Sequence, residues 1–354
     1  MIKKSDLYAL LLLLFIFSAA FAQDQALDSI KRIVQNPKIH DTTKLFAIAA
    51  AIDEHSQYEQ TTKELNKLLG NLALRNYNKK TSVELHKKYT QYLGAYYNNI
   101  SLAYDKRGDI VNAMDCIDKS ISLFKSIGSY DEMYYATIGK AVTLTRIYEY
   151  KKAISYLFTA LKYFEKDKIG NADEISYIQS TMANIYADQG KHKESIAYNK
   201  NVIAYYDSKA SISDAEGFAK SSAYANCGSS YLALGKHPEA INNFNRALYL
   251  LRKIGDMSSA SVVLTKIAAV KIDELKFDEA ESLLKEALQG DIDEMARANA
   301  YVRFGELYYK KKDNEKAAFY LNKGLLLSKE YKLLELQEPG IASSVPDQPG
   351  EQGF

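Results

Sequence analysis

Small side chains recur along this chain at intervals of 40, 42, 45, 40 and 37 residues, counted between Ala113, Ala153, Ser195, Ala240, Ala280 and Ala317. Two helices cross closely only where the contact point carries a small side chain, so this recurrence predicts stacked helix pairs. Two more small positions accompany each anchor, one on the preceding helix and one further along the second helix. They are Ser101, Ala141, Ala183, Gly228, Ala268 and Gly305, and then Ser120, Ala160, Val202, Ala247, Ala287 and Gly324. Together with the anchors, seventeen of the eighteen are Gly, Ala or Ser, and Val202 is the exception.

The composition also favours an all-α fold. The chain has 17 glycines and 5 prolines in 354 residues, which is few for a turn-rich β protein. A glycine after a helical run marks a helix end at Ile127-Gly128-Ser129, Ile169-Gly170-Asn171 and Ile254-Gly255-Asp256, each followed by a residue type that starts helices. The formal net charge is +2, so we expect no nucleic acid partner and no binding to an anionic membrane.

The repeated frame is plainest in Asn226-Cys-Gly-Ser-Ser-Tyr231, which is followed by Gly235, Ala240, Phe244 and Ala247-Leu248. This frame resembles the tetratricopeptide repeat family, and the resemblance covers roughly residues 81–330. It implies a right-handed α-solenoid of antiparallel helix pairs, with repeats longer than the usual ~34 residues. We expect a divergent helical cap over 23–80, about six repeats of ~40 residues over 81–337, and a disordered tail over 338–354.

The N-terminus has the three parts of a secretory signal peptide. Lys3 and Lys4 precede an apolar run over residues 7–17, and an Ala20-x-Ala22 end predicts cleavage between Ala22 and Gln23. Residues 1–22 would then be removed. Because no second long apolar run follows in the sequence, we expect no membrane span in the mature chain. We therefore expect an exported protein, periplasmic or at the cell surface. The alternative is an inner-membrane anchor formed by an uncleaved N-terminal segment.

The sequence contains no arrangement of residues typical of catalysis, and we expect no catalytic residue, no metal site and no cofactor. No two of the five histidines stand at i, i+3 or i, i+4, although His192 and His237 occupy the same turn of adjacent repeats. Cys116 and Cys227 lie nearly three repeats apart, too far for a disulfide, and neither has a neighbouring histidine to activate it. Both cysteines are expected in the core.

The resemblance implies that the first helix of each repeat lines a groove for peptides. Residues expected to line it are Asn98, Asn99, Leu102, Asn184, Asn226, Ser229, Lys266, Arg303 and Glu306. Asparagine amides can hold an extended peptide backbone, while Lys266 and Arg303 are suited to a carboxylate. Asn184, Asn226 and Lys266 match part of the carboxylate clamp of chaperone-binding members. Ser180 and Val262 stand where that clamp carries lysines.

The leading hypothesis is a non-enzymatic, exported interaction module that binds a protein or peptide in this groove. The chain resembles exported bacterial members of the family, in which a repeat array precedes a membrane helix and a histidine kinase or helix-turn-helix output domain. The alternative is therefore the sensor portion of a membrane-anchored regulator whose output domain is absent from this chain. A third reading, a carbohydrate-processing enzyme, would need paired carboxylates that the sequence does not mark. The apolar segment Leu325–Leu336 suggests self-association.

Overall fold

The computed structural model describes residues 27–55, 59–167 and 171–330. The predicted signal peptide (1–22), the cleavage site between Ala22 and Gln23, Gly170 and the tail (338–354) lie outside these residues. Of the segment predicted to self-associate, only residues 325–330 are described. Leu325 and Leu326 within it are 40% and 65% exposed.

Every regular element in the described part of the chain is helical, as predicted. The helices are α1 (27–35), α2 (Asp41–Glu54), α3 (Glu59–Tyr77), α4 (Val83–Lys106), α5 (Ile110–Ser126), α6 (Tyr130–Arg146), α7 (Tyr150–Phe164), α8 (Ala172–Asp188), α9 (His192–Asp207), α10 (Asp214–Ala233), α11 (His237–Ile254), α12 (Met257–Asp273), α13 (Phe277–Ala287), α14 (Glu294–Lys310) and α15 (Asn314–Glu330). A 3-10 turn, Glu165–Asp167, follows α7. None of these helices is both long and apolar enough to cross a membrane.

The described residues form two compact units that divide between Tyr163 and Phe164. In the N-terminal unit, α2 packs on α3, α3 on α4, α4 on α5 and α5 on α6. In the C-terminal unit, each helix from α8 to α15 packs on the next one along the chain. Each unit is therefore a stack of antiparallel helix pairs, in which the first and the second helix of each repeat alternate along the sequence.

All eighteen small positions predicted from the sequence are buried. Their size is required by how closely the helices approach. A Cβ built on Gly228 would lie 2.5 Å from the ring of Phe244, and one on Gly305 would lie 2.5 Å from Cγ of Leu321. The anchors thus mark the helix crossings, and the core fills the space around them with residues such as Leu157 and Leu284.

The turn between the two helices of every repeat has the same backbone conformation. Five residues before each anchor, the chain adopts a positive φ of 58° to 75°. The residue is glycine in three repeats, at Gly108, Gly190 and Gly235. In the other three it is not glycine, namely Tyr148, Leu275 and Lys312. The position recurs because the left-handed conformation lets the amide of this residue and the amide of the next residue both donate hydrogen bonds to carbonyl groups at the end of the first helix.

The predicted helix ends between repeats are confirmed where they are described. Gly128 and Gly255 have φ values of 72° and 76°. The side chain of Asp256 then caps α12 by accepting a hydrogen bond from the amide of Ser259 at 2.9 Å. Ser129 precedes α6 but its side chain makes no capping bond. Cys116 and Cys227 are both free and buried, as predicted.

Candidate interaction surface

The first helices of the C-terminal unit form one layer, because α8 contacts α10, α10 contacts α12 and α12 contacts α14. Six of the nine predicted groove residues lie in this layer. They occupy two fixed offsets from the small residue of each first helix, either two residues before it or one residue after it. The position one residue after the small residue is occupied by Asn184, Ser229 and Glu306. The position two residues before it is occupied by Asn226, Lys266 and Arg303. We call this set the first-helix row.

Hydrogen bonds join the first-helix row from one repeat to the next. Nδ2 of Asn226 donates to Oδ1 of Asn184 at 2.8 Å. In the following repeat, Nζ of Lys266 donates to Oγ of Ser229 at 2.9 Å. Each bond therefore joins the residue one after the small position of one helix to the residue two before the small position of the next first helix. The sequence predicted that these residues lie on the first helices of their repeats, but the regular pairing between repeats is visible only in the structure.

The pairing stops at Ala269, which stands where Asn184 and Ser229 supply their acceptors. A methyl group cannot accept a hydrogen bond. Nη1 of Arg303 instead donates to Oε2 of Glu306 on its own helix, at 2.6 Å. The first-helix row therefore has an interruption in the acceptor series between Lys266 and Arg303.

Lys266 is half-buried and makes no ion pair with any described residue. Burial of its ammonium group, and secondarily the charge of Arg303, lower the pKa of Lys266 from its ordinary value. Its one hydrogen-bond partner, Ser229, is uncharged. A desolvated cation with a neutral partner is a favourable place for an anion to bind.

The other three predicted groove residues lie on α4 in the N-terminal unit. Nδ2 of Asn99 donates to Oδ1 of Asn66 on α3 at 2.9 Å, so this amide already has a partner. The carbonyl of Asn98 accepts from Ser101, and Leu102 is 49% exposed. The N-terminal unit thus presents an apolar side chain and a bonded amide, with no cation among these three residues.

The positions where the chaperone-binding clamp would carry lysines are Ser180 and Val262, and both are half-buried. Their side chains carry no charge. Any anion held by the first-helix row therefore depends on Lys266 and Arg303. Ala269 is the residue that sequence reasoning missed, although the fixed offset from Ala268 was a signal from which it could be found.

The described residues contain no group of three or more His, Cys, Asp or Glu side chains that could hold a metal ion. His237 faces Glu274, with Nδ1 and Oε1 3.7 Å apart, and Nδ1 of His192 has no hydrogen-bond partner. Burial raises the pKa of Cys227 to about 11, and burial also raises the pKa of Cys116. Both thiols are therefore poor nucleophiles at neutral pH.

Comparison with known proteins gives one family and several similar folds. The tetratricopeptide repeat model matches residues 94–126, 221–254 and 298–331. No curated protein matches the sequence significantly. A solved structure from Pyrococcus horikoshii, a signal transduction ATPase with numerous domains and a tetratricopeptide repeat sensor, is similar at a TM-score of 0.59 and 16% identity. The match covers 84% of this chain and 44% of that chain.

Two Rap structures are also similar over most of their length. A Rap protein complexed with Competence and Sporulation Factor has a TM-score of 0.55 and 14% identity, covering 89% of this chain and 96% of that chain. The apo form of RapI has a TM-score of 0.56 and 9% identity, covering 82% and 97%. At such identities the likeness establishes the fold alone.

The three segments matched by the family fall on the helix pairs α4–α5, α10–α11 and α14–α15. The described pairs between them have the same buried small residues and the same positive-φ position five residues before the anchor. Tetratricopeptide repeats are therefore the structural unit of these helix pairs, as the resemblance in the sequence predicted.

Proposed function

We propose that this protein is a non-enzymatic interaction scaffold whose first-helix row binds a carboxylate-bearing segment of a protein or peptide. The observation that carries the proposal is Lys266, a half-buried ammonium group that has a neutral hydrogen-bond partner and makes no ion pair with any described residue. A ligand carboxylate placed between Lys266 and Arg303 would supply the acceptor that Ala269 lacks.

The energetics favour this assignment. A hydrogen bond to a charged group contributes about 1.5–3 kcal/mol, which is roughly twice the contribution of a neutral pair. The bond from Asn226 to Asn184 can open to the main chain of a ligand at small cost, because Asn184 is exposed. The first-helix row would thus anchor a ligand by charge at one end and by amide groups at the other.

The similar structures offer support at the level of the fold. The Rap protein was solved in complex with Competence and Sporulation Factor, so a helical repeat of this kind can hold a partner. The similarity to a Pyrococcus horikoshii signal transduction ATPase that has a tetratricopeptide repeat sensor supports the alternative, in which this chain is the sensor portion of a signal-transduction regulator. A partner that also bound a kinase or DNA-binding domain would favour that alternative.

We also propose that the protein is exported and cleaved between Ala22 and Gln23, because residues 1–22 have the composition of a signal peptide. Sequencing the N-terminus of the protein recovered from a secreting bacterial host tests this. A mature chain that begins at Gln23 supports export. An intact N-terminus in the membrane fraction favours the anchored alternative.

Self-association through the C-terminal helix is a further proposal, supported by the exposure of Leu325 and Leu326 on α15. Light scattering on the wild type and on Leu326→Glu tests it. A wild-type dimer that becomes a monomer in the variant supports the proposal, whereas a monomer in both contradicts it.

Peptide selection tests the binding proposal. A random peptide display library is selected on residues 23–354, and the enriched peptides are synthesised with each Asp and Glu in turn replaced by Asn and Gln. We expect one carboxylate to be essential, with its amide analogue binding about tenfold more weakly. Enriched peptides without any carboxylate, or with carboxylates that can all be replaced without loss, would contradict the proposal.

A further inference from the structure

A second surface, separate from the first-helix row, lies on α10 and α11. It is a pocket of about 630 Å³, within the range of ligand-binding pockets, and it adjoins a second depression that shares Asn245 and Tyr249 with it. Residues Asn242, Asn245, Arg246, Tyr249 and Lys253 recur on α11 at helical spacing and line these two depressions. We call this the α11 pocket.

One guanidinium group in the α11 pocket is held in a fixed position without an ionic partner. Nη1 of Arg246 donates to the hydroxyl of Tyr224 at 3.3 Å, and Nε donates to Oδ1 of Asn242 at 3.2 Å. The guanidinium carbon lies 5.6 Å from the centre of the Tyr224 ring. Arg246 makes no ion pair with any described residue, so its orientation is set by neutral groups and its charge is available.

The charged residues that line the two depressions all have the same sign. No described residue that lines either depression is acidic, and four are basic. Lys220 is paired with Asp207 at 2.6 Å, and Arg252 is paired with Glu286. Arg246 and Lys253 remain without an ion pair, and the ring of Tyr249 beside them is 68% exposed. The α11 pocket therefore combines two available cations, exposed amides and an uncovered aromatic ring.

We propose that the α11 pocket binds an acidic segment of a partner protein. Its carboxylates would meet Arg246 and Lys253, its main chain would bond to the amides of Asn242 and Asn245, and an apolar side chain would cover Tyr249. These are the residue types enriched at protein interfaces, where aromatic and arginine side chains contribute most of the binding energy.

A peptide segment fits this surface better than a nucleic acid does. Nucleic acid binding relies on many cations that follow the phosphate backbone, and the α11 pocket has only two that are not already paired. The whole chain is also nearly neutral, with 46 basic and 44 acidic residues. The complementarity is local, and it matches a short acidic sequence.

Fluorescence anisotropy with defined probes tests the proposal. The probes are a fluorescein-labelled peptide of repeated Glu-Leu-Gly units, the same peptide with glutamine in place of glutamate, and a labelled oligothymidylate. The proteins are the wild type, Arg246→Gln, Tyr249→Ala and Lys266→Met. Arg297→Gln is the matched control, because Arg297 lies in the same unit and is paired with Glu294 at 3.4 Å.

We expect the acidic peptide to bind the wild type and Arg297→Gln alike, and to bind Arg246→Gln and Tyr249→Ala at least about fivefold more weakly. Lys266→Met is included to separate binding at the first-helix row from binding at the α11 pocket. Unchanged thermal melting of the variants would exclude misfolding as the cause. Failure of the acidic peptide to bind the wild type, or equal binding by the glutamine peptide, would overturn the proposal. Tighter binding of oligothymidylate would also overturn it. Loss in Lys266→Met alone would assign the peptide to the first-helix row instead.

Discussion

Leu275 adopts a left-handed backbone conformation, with φ of 58°, at a turn where three other repeats have glycine. A side chain in this conformation costs roughly 1–2 kcal/mol through contact between Cβ and the neighbouring carbonyl oxygen. Leu275 is 68% exposed, so it recovers little of this cost by packing. Tyr148 combines the same conformation with 77% exposure.

Replacing Leu275 with glycine is expected to stabilise the protein by about 0.5–1 kcal/mol. Relief of the left-handed strain exceeds the extra entropy that glycine gives the unfolded chain. The urea midpoint of unfolding measures the change. Gly235→Ala at the equivalent turn is the control and should lower the midpoint. A lower midpoint for Leu275→Gly would mean that the exposed side chain stabilises the turn in a way its geometry does not show.

Gly228 illustrates the opposite case, a glycine required by packing. A Cβ at this position would lie 2.5 Å from the ring of Phe244, which is fully buried and has no room to move. Gly228→Ala is expected to destabilise the protein by about 1–2 kcal/mol, even though alanine favours the helix by about 1 kcal/mol.

Gly139→Ala is the matched control for this prediction. The nearest atom to its added Cβ would be Cδ1 of Ile117 at 3.6 Å, an ordinary contact, so helix propensity should decide and the variant should gain stability. Urea unfolding of both variants measures the contrast. The same sign for the two changes would contradict the close approach at the helix crossing.

Much of this residue-scale detail follows from the sequence, because the small positions are defined by a repeat and all are buried. The conformation of Leu275 was not predicted, since leucine gives no signal for a positive φ. The one signal for this conformation is the repeat alignment, in which Leu275 lies five residues before Ala280 just as Gly235 lies five residues before Ala240. Local propensity failed there because the turn geometry is imposed by the two helices that it joins.

At the scale of elements, α8, α9 and α10 are joined by a network of charges around Lys209. Nζ of Lys209 donates to Asp173 on α8 at 3.0 Å and to Glu216 on α10. The hydroxyl of Tyr205 on α9 also donates to Asp173, at 2.7 Å. Glu216 is in addition the acidic member of the capping box that begins α10 with Ser213.

This network predicts a defined pH dependence of stability. The hydrogen bond from Lys209, and then the bond from the Ser213 amide, lower the pKa of Glu216 to about 2, from 4.5. A lowered pKa means that the folded state prefers the ionised form. Its stabilising contribution is therefore complete above pH 4.5 and is lost as the pH falls toward 2.

Glu216→Gln tests the charge while keeping a residue that the capping box accepts. We expect a lower melting temperature than wild type at neutral pH and a difference that shrinks as the pH falls below 4.5. A constant difference for Glu216→Gln would contradict the ionic contribution.

The elements themselves could largely be predicted. Sequence reasoning expected stacked helix pairs, and every regular element in the described part of the chain is helical. It expected Ser129 to be able to start α6, but the serine makes no capping bond. Helix identity depends on the hydrophobic period, whereas capping depends on the local approach angle of the chain, which the period does not encode.

For the whole molecule, the sequence identified the fold class and the family, because one repeat unit determines both. It placed six predicted residues on one layer of helices, Lys266 among them. It did not reveal that they bond in series or that the series stops at Ala269. It also did not identify the α11 pocket, because Arg246 and Tyr249 lie on a polar helix face that is indistinguishable from solvated surface without the pocket geometry.

The central claim is that Lys266 binds a ligand carboxylate, and comparing it with a second half-buried lysine tests the claim most directly. Lys266 and Lys271 lie on the same helix and both are half-buried, but Lys271 is paired with Glu279 at 2.8 Å. The dissociation constant of a selected acidic peptide is measured by titration calorimetry on the wild type, Lys266→Met and Lys271→Met.

We expect Lys266→Met to weaken binding by about tenfold or more while melting at or above the wild-type temperature, because it removes an unpaired, desolvated charge. Lys271→Met should bind as the wild type does. Equal affinities for the wild type and Lys266→Met, or an equal loss in both variants, would contradict the claim.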